Sequence, residues 1–436
     1  MNDIVDVLVL SDVHLAAERN RGLFRADGEI SSFLDWIIKD AGPARVVIAG
    51  DFLDFLVPMD GETTLAYFDP NGAHSRATAI VEHHDEVFDA LTRLANSADH
   101  ELWIASGNHD PELLFPDVRE VMDRRTRSRS RAMTVRWSVD GEAIRFRVGD
   151  ASVLITHGDA FDDWNRVNHG ALRRAANRIS YGFSKESEWE YEPPAGTRLV
   201  IDHLLRLRAQ YPWVDALKPE RDAVFPILHE FLDLGEHVKY RGLIASGIRQ
   251  AVESFLHQAI RHSQPQTLIR GNVGQGSLRE RLLRWLWQEE NGVSSNLIAK
   301  LRDVSDADGY FDVADPDQSA ELLPYFFRRG ADLLIAGHTH AAKAHLIDDR
   351  NLYLNTGTWA RLLQLPASSA SDDIWSDFLT QLREGKDLGE PKPTFAWIRH
   401  DDNGTRASLM SWENGVPVHS AAFRFVPGER RWVGEA

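Results

Sequence analysis

Arg45-Val46-Val47-Ile48-Ala49-Gly50-Asp51-Phe52-Leu53-Asp54 is the stretch on which the fold turns. Its first half is a short apolar, β-branched run, the composition of a buried strand. Gly50 punctuates the run, and two carboxylates follow at once. Taken alone, Gly-Asp is an ordinary turn; a carboxylate placed there can also bridge two cations with its two oxygens.

The arrangement recurs on both sides of this stretch. Val5–Leu10 runs into Asp12-Val13-His14, and Glu101–Ala105 into Gly107-Asn108-His109-Asp110. Ala151–Thr156 ends on His157-Gly158-Asp159, and Ala331–Ala336 on Gly337-His338-Thr339-His340. Helical spacing over Ile30–Ile38 and Ala77–Ala95 separates the early strands, which favours a parallel sheet covered by helices. In such sheets catalytic residues collect beyond the carboxyl ends of the strands, where these clusters fall. Period-two geometry would turn Asp12 and His14 the same way. Met133–Val139 and Ala143–Arg147 read as a hairpin around Asp140-Gly141. Later strands are expected at Asn351–Asn355, Thr394–Arg399 and Ala407–Trp412, the last two joined through Asp401–Gly404.

Residues 165–330 differ in texture. Leucine and isoleucine at helical spacing over 196–210, 221–234, 240–262 and 278–290, with turns at Pro193–Gly196 and Val273–Gly276, predict a helical insert or cap. The catalytic core is then discontinuous, 1–164 and 331–436. The start of the insert, near Asp162, Asp163, Trp164 and Asn165, overhangs the clusters. Its apolar residues Leu204, Leu205, Phe225, Ile227, Leu228 and Phe231 could line an acyl pocket, although such spacing ordinarily means core.

The chain of 436 residues is 43% hydrophobic and 26% charged, a globular composition compatible with two or three domains or one large domain with insertions. A net charge of −17 argues against a protein that coats nucleic acid. It leaves anionic substrates open, because bound cations reverse the local field. There is no cysteine, hence no disulfide, thiolate metal site or cysteine nucleophile. The acidic start lacks the pattern of a secretory signal, and no run reaches the apolar length of a spanning helix. A cytoplasmic protein is expected, with peripheral membrane contact open.

A lone histidine is usually a satisfied core or surface group. Five clusters of Asp, His and Asn, each after an apolar run, instead offer donors suited to divalent Mn, Fe, Zn or Co. Together they resemble the calcineurin-like metallophosphoesterase family over about 1–164 and 331–365. The resemblance implies an α/β (α+β) fold, a four-layer αββα sandwich of two mixed sheets, here with a large helical insert. It implies that Asp12, His14, Asp51 and His340 hold one metal ion, and that Asp51, Asn108, His157 and His338 hold a second. A hydroxide shared by the two ions would attack phosphorus, with His109 as general acid and Asp54 orienting it. Asp110 and Asp159 need no catalytic role. Arg361 is a candidate phosphate contact, and the loop Pro58–Arg76 and basic Arg124–Arg131 are candidate specificity segments. Thr156–Asp159 and Asn355–Trp359 look like the branch with UDP-diacylglucosamine pyrophosphohydrolase, which typically carries arginine where this chain has His109. That likeness extends to style of architecture, not to substrate. The expected function is metal-dependent hydrolysis of a phosphodiester or pyrophosphate in a phosphorylated small-molecule or lipid-linked substrate. The alternatives are a nuclease, or a non-catalytic scaffold that binds a partner through its insert.

Overall fold

Strand β1 (Asp6–Leu10) illustrates how the layers form. Its side chains alternate, so Leu8 and Leu10 join one apolar cluster while Val7 and Val9 join another. Strand β2 (Ala44–Ala49) repeats the division, with Val46 and Ile48 on the first side and Val47 and Ala49 on the second. The first cluster is closed by Phe33, Leu34 and Ile37 of α1 (Asp27–Asp40), Ile80 of α2 (Pro70–His83), and Phe88 and Leu91 of α3 (Asp85–Asn96). The second is closed by another sheet. Each fully buried leucine or phenylalanine contributes roughly 1.5–3 kcal/mol, so these two clusters dominate the stability of the core.

The computed structural model describes residues 6–18, 21–126, 135–162, 164–183, 191–231, 297–307, 309–317, 330–348, 350–386 and 388–435. Next along the chain come β3 (His100–Ala105), α4 (Pro116–Thr126), β4 (Arg136–Ser138), β5 (Ile144–Val148), β6 (Ala151–Ile155) and α5 (His169–Ser180). Then follow β7 (Leu217–Lys218), β8 (Leu333–Ala336), β9 (Ala342–Leu346), β10 (Leu352–Thr356), β11 (Arg361–Gln364) and β12 (Glu390–Pro391). The last four are β13 (Thr394–Asp401), β14 (Gly404–Glu413), β15 (Val416–Val426) and β16 (Arg431–Glu435). The first sheet runs β16-β15-β14-β13-β1-β2-β3-β4, parallel from β1 to β4 and antiparallel elsewhere. The second runs β5-β6-β8-β10-β9, with β6, β8 and β10 parallel. The mixed two-sheet fold expected from the sequence is present. Its carboxyl strand ends from both sheets meet along one edge.

Three local expectations are corrected. The helix expected over Ala77–Ala95 is two helices, broken at His84. That imidazole is buried, bonded through Nδ1 to Asp27 Oδ1 (2.7 Å) and through Nε2 to the Ala16 carbonyl (3.1 Å), and these anchors turn the chain. The segments around Asp140-Gly141 are no hairpin, because β4 pairs with β3 in one sheet and β5 with β6 in the other. The turn carries the chain between layers. Pro193–Gly196 is not only a turn either, since Ala195 opens the short helix Ala195–Leu199. The Asp401–Gly404 hairpin forms as expected.

The described part of 165–330 is largely helical, but its sides differ in what they pack against. Leu172, Ala175 and Ala176 of α5 belong to the first core cluster. Leu207, Trp213, Ile227, Leu228 and Leu301 belong with Leu363, Trp375 and Leu382 from the chain beyond 331. The pocket candidates Ile227 and Leu228 are buried there with Leu204 and Phe231 packed against the cluster, and Leu205 is buried as well, so these positions are core. The Phe225 side chain and segments 240–262, 278–290 and Val273–Gly276 lie outside the described residues. Among the described residues no helix is long and apolar enough to cross a membrane.

Candidate metal centre

Each cluster sits where its strand ends, and the loops are tied to one another before any side chain acts. The Asp12 amide donates to the Gly50 carbonyl (3.1 Å) and the His14 amide to that of Asp51 (2.9 Å). The Gly337 amide donates to the His157 carbonyl (2.7 Å), and the Trp359 amide to that of Asp12 (3.2 Å). Asp110 accepts from the amides of Phe52 (2.9 Å), Leu53 (3.3 Å) and Gly107 (2.6 Å), which ties the second cluster to the third. Burial and the neighbouring Asp51 charge push Asp110 up to about 7, against those amides. A methyl group at Gly107 would collide with Asp51 Oδ1 and the His157 ring, so the turn admits only glycine.

The seven expected metal ligands come together. His14 Nε2 lies 3.0 Å from His340 Nε2, 3.9 Å from Asp12 Oδ1 and 3.8 Å from Asp51 Oδ2. His340 Nε2 is 3.4 Å from Asp12 Oδ1. On the other side of Asp51, His157 Nε2 is 3.2 Å from Asp51 Oδ2 and 3.1 Å from Asn108 Oδ1, which also meets His338 Nδ1 at 2.8 Å. Asp12-His14-His340 and Asp51-His157-His338 each gather donor atoms within 4.8 Å of one another, as does His14-Asp51-His109.

Backbone conformation marks the same residues. Eight non-glycine residues among those described have positive φ, and five of them are Asp12, His14, Asp51, His338 and His340. Left-handed backbone is unfavourable for side-chain-bearing residues and clusters at functional sites. It also corrects the reason for the Asp12–His14 pairing: both lie past the pleated strand, and local left-handed turns set their directions.

The electrostatics fit divalent cations. Asp12, Asp51 and Asp54 are buried, and imidazoles are their partners in ion pairs among the described residues. Burial alone would raise Asp51; His157, His109 and His14 hold it well below the usual carboxylate range. Burial would lower His157, but Asp51 and Asp12 raise it well above the ordinary value. Burial pulls His340 down to about 4, and the charges of His14 and Lys218 add to that. His340 Nδ1 is buried without a hydrogen-bond partner. Buried carboxylates facing neutralisable imidazoles, with ring nitrogens pressed together, are a donor set that cations satisfy.

His109 stands at the rim. Its amide donates to Asp51 Oδ1 (2.8 Å), and its Nδ1 lies 3.1 Å from Asp54 Oδ1. Burial lowers its pKa, but Asp54 and Asp51 outweigh this and raise it to about 9. Asp162 was expected only to overhang the site; its Oδ2 lies 3.1 Å from His338 Nε2. Burial would raise Asp162, but the bond to His338 brings it to about 2. Asp159 is buried and accepts from the Val167 amide (3.1 Å). Arg361 is buried, with Nε bonded to the Leu23 carbonyl (3.0 Å) and Nη2 to that of Gly22 (3.4 Å). Arg124 pairs with Glu120 and Arg125 with Asp89, while 127–131 lie outside the described residues. Phe68, in the loop after Asp51, packs at tilted angles against Tyr67, Phe115 and Tyr191.

Two mixed sheets thus bring Asp, His and Asn donors together beyond the ends of β1, β2, β3, β6 and β8. Residues 5–216, just under half of the chain and carrying four of the five clusters, match the family model for calcineurin-like phosphoesterase. No curated protein sequence matches the chain. Among solved structures it is similar to a single mutant of Vps29 from Entamoeba histolytica, at 10% identity, 99% coverage of this chain, 100% of that one and a TM-score of 0.29. It is also similar to a dimetal phosphatase from Danio rerio, at 12% identity, 95% and 98% coverage and a TM-score of 0.34. Both likenesses are remote.

Proposed function

We propose that the chain is a hydrolase of phosphoester bonds that works with two divalent metal ions, and that a phosphodiester or pyrophosphate suits it better than a monoester. The observation that carries the reading is Asp51, whose carboxylate lies between His14 at 3.8 Å and His157 at 3.2 Å, each in a different donor set. Asp12, His14, Asp51 and His340 would hold one ion, and Asp51, Asn108, His157 and His338 the other. Bound there, two divalent ions supply an acidified water and neutralise charge developing on a phosphoryl group.

The chain's own residues do the rest. His109, protonated near neutrality, gives its Nε2 proton to the leaving oxygen. Asp54 accepts from Nδ1 and so fixes the ring with Nε2 outward. The reach of the insert supports a substrate larger than a monoester. Arg208, paired with Asp215 at 2.7 Å, and Lys218 stand close enough for their charges to act on His109 and His340 respectively. Cationic groups near the site suit a second anionic or diester arm, in a phosphorylated small-molecule or lipid-linked substrate. The test is turnover of aryl phosphate mono- and diesters, sugar-nucleotide diphosphates and oligonucleotides with added Mn²⁺ or Co²⁺. Two bound ions with no turnover of any phosphoester would refute hydrolysis. Cleavage of oligonucleotides alone would move the assignment to a nuclease.

A further inference from the structure

Three of the clustered imidazoles present one nitrogen inward and turn the other toward an outer oxygen, which is hydrogen-bonded for His157 and His338. His157 points Nε2 at Asp51 and Asn108, and its Nδ1 meets the Ala49 carbonyl at 3.0 Å. His14 points Nε2 at His340, and its Nδ1 lies 3.4 Å from Asp54 Oδ2. His338 has Nδ1 at Asn108 Oδ1 (2.8 Å) and Nε2 at Asp162 Oδ2 (3.1 Å). The first two acceptors come from the sheet edge itself. Asp162 comes from the turn that leads into the helical segment.

We infer that Asp162 is the positioning residue for His338: its carboxylate accepts the Nε2 hydrogen, which leaves the Nδ1 lone pair facing Asn108 and Asp51. The inference rests on the reading of His338 as a metal ligand. An outer carboxylate fixes the tautomer and ring angle of a ligating imidazole and makes it a better donor. Asp162 is itself held on both oxygens. The Trp164 amide donates to Oδ1 (2.9 Å) and Asn165 Nδ2 to Oδ2 (2.7 Å). The Trp164 carbonyl in turn accepts from the Gly196 amide (2.9 Å), and a methyl group on Gly196 would collide with Asn165 Oδ1. The start of the helix Ala195–Leu199 is therefore packed directly on the residues that hold Asp162. One ligand's orientation is set by the insert, the other two by the sheets.

Asp162→Asn provides the test, because it keeps the shape and removes the charge. An amide nitrogen facing His338 Nε2 demands an acceptor there, which moves the ring proton to Nδ1 and removes the inward lone pair. Expected in the full-length variant are a loss of about 10–100-fold in affinity for one of two Mn²⁺ or Zn²⁺ ions by calorimetry, with the other ion unaffected. The metal-free protein should melt at the wild-type temperature. Imidazole ¹⁵N shifts of the metal-free protein, recorded at a pH high enough that the ring is neutral in both proteins, should change His338 from the Nε2–H to the Nδ1–H form. Gly196→Ala should weaken the same ion to a lesser degree. The inference is overturned if both affinities stay within about twofold, if both fall together along with the melting temperature, or if the tautomer is unchanged. If wild type binds no pair of ions, the parent reading fails, while the tautomer measurement still decides the role of Asp162.

Discussion

Replacing Asp54 by asparagine should alter the pH dependence of activity far more than activity near neutrality. Asp54 is buried and its Oδ1 is 3.1 Å from His109 Nδ1, so it contributes much of the rise that takes His109 to about 9. Opposite charges about 4 Å apart are worth about 4 kcal/mol at an effective dielectric of 20, and partial exposure of the ring reduces that toward the 1–3 pH units usual for such pairs. His109 must be protonated to act, so activity persists below its pKa and falls as pH rises through it. Commitment of Asp51 to cations withdraws part of the lift, so the alkaline limit of the loaded enzyme falls below 9. Wherever that limit lies, the asparagine variant should reach it about 1–3 pH units earlier. For a shift of about two units, kcat/KM falls by about 100-fold at pH above both limits and by less than about twofold below both. The assay is a pH profile of kcat/KM on an activated diester whose leaving group still needs protonation, at saturating metal. Because Asp54 also approaches His14 Nδ1 at 3.4 Å, metal content is measured in parallel. A loss equal at every pH, or an unmoved alkaline limb with both ions bound, would refute the acid role of His109 and the tuning role of Asp54.

Metal removal should destabilise as well as inactivate: chelation lowers the melting temperature, and ions at about 100 times their dissociation constants restore about 2.7 kcal/mol for each ion bound, whereas Asp51→Asn abolishes that gain in calorimetric melts. Gly107→Ala should cost both metal uptake and activity, since the added methyl displaces Asp51 and His157 together; an active variant with two ions would contradict the packing. Glu112 is buried, accepts from the Phe68 amide (3.0 Å) and is pushed up to about 7 chiefly by burial. Its folded pKa exceeds the unfolded value, so its contribution is present below about pH 4.5 and is lost as pH rises through about 7; Glu112→Gln should raise stability by on the order of 2 kcal/mol at pH 8 and give no gain at pH 4 in denaturant titrations. Trp375→Ala should cost about 3–5 kcal/mol by opening the cluster shared by the insert and the helix Asp372–Arg383, visible as an early unfolding step with the metal centre intact.

The strand ends were legible because two signals coincide there, an apolar run and an abrupt change to Asp, His or Asn. What the sequence could not carry is backbone sign. Nothing in the order Asp12-Val13-His14 announces two left-handed residues, and it is these turns, not the pleat, that bring both side chains into one cluster. The break at His84 was hidden because its cause, Asp27, is 57 residues away. The Asp140-Gly141 turn has hairpin chemistry, but its strands join different sheets, which is decided by partners far along the chain. β15 escaped notice because much of it is exposed, which weakens the alternation that reveals a strand. Asp162 was placed near the site by proximity to His157; only the fold supplies its partner, His338, 176 residues later.

The position of β1 has a consequence for biosynthesis. It lies between β2 and β13, so one of its two edges is satisfied by Thr394–Asp401, near the far end of the described chain. His14 likewise waits for His340, 326 residues on. At ribosomal rates of about 5–20 residues per second, that is tens of seconds in which an apolar strand bears an unpaired edge. A nascent chain halted short of Thr394 should bind chaperones that one released past Asp401 ignores. Donors 326 residues apart thus make assembly of the proposed metal centre a late event, and its arrival can serve as a report that synthesis has gone through both sheets.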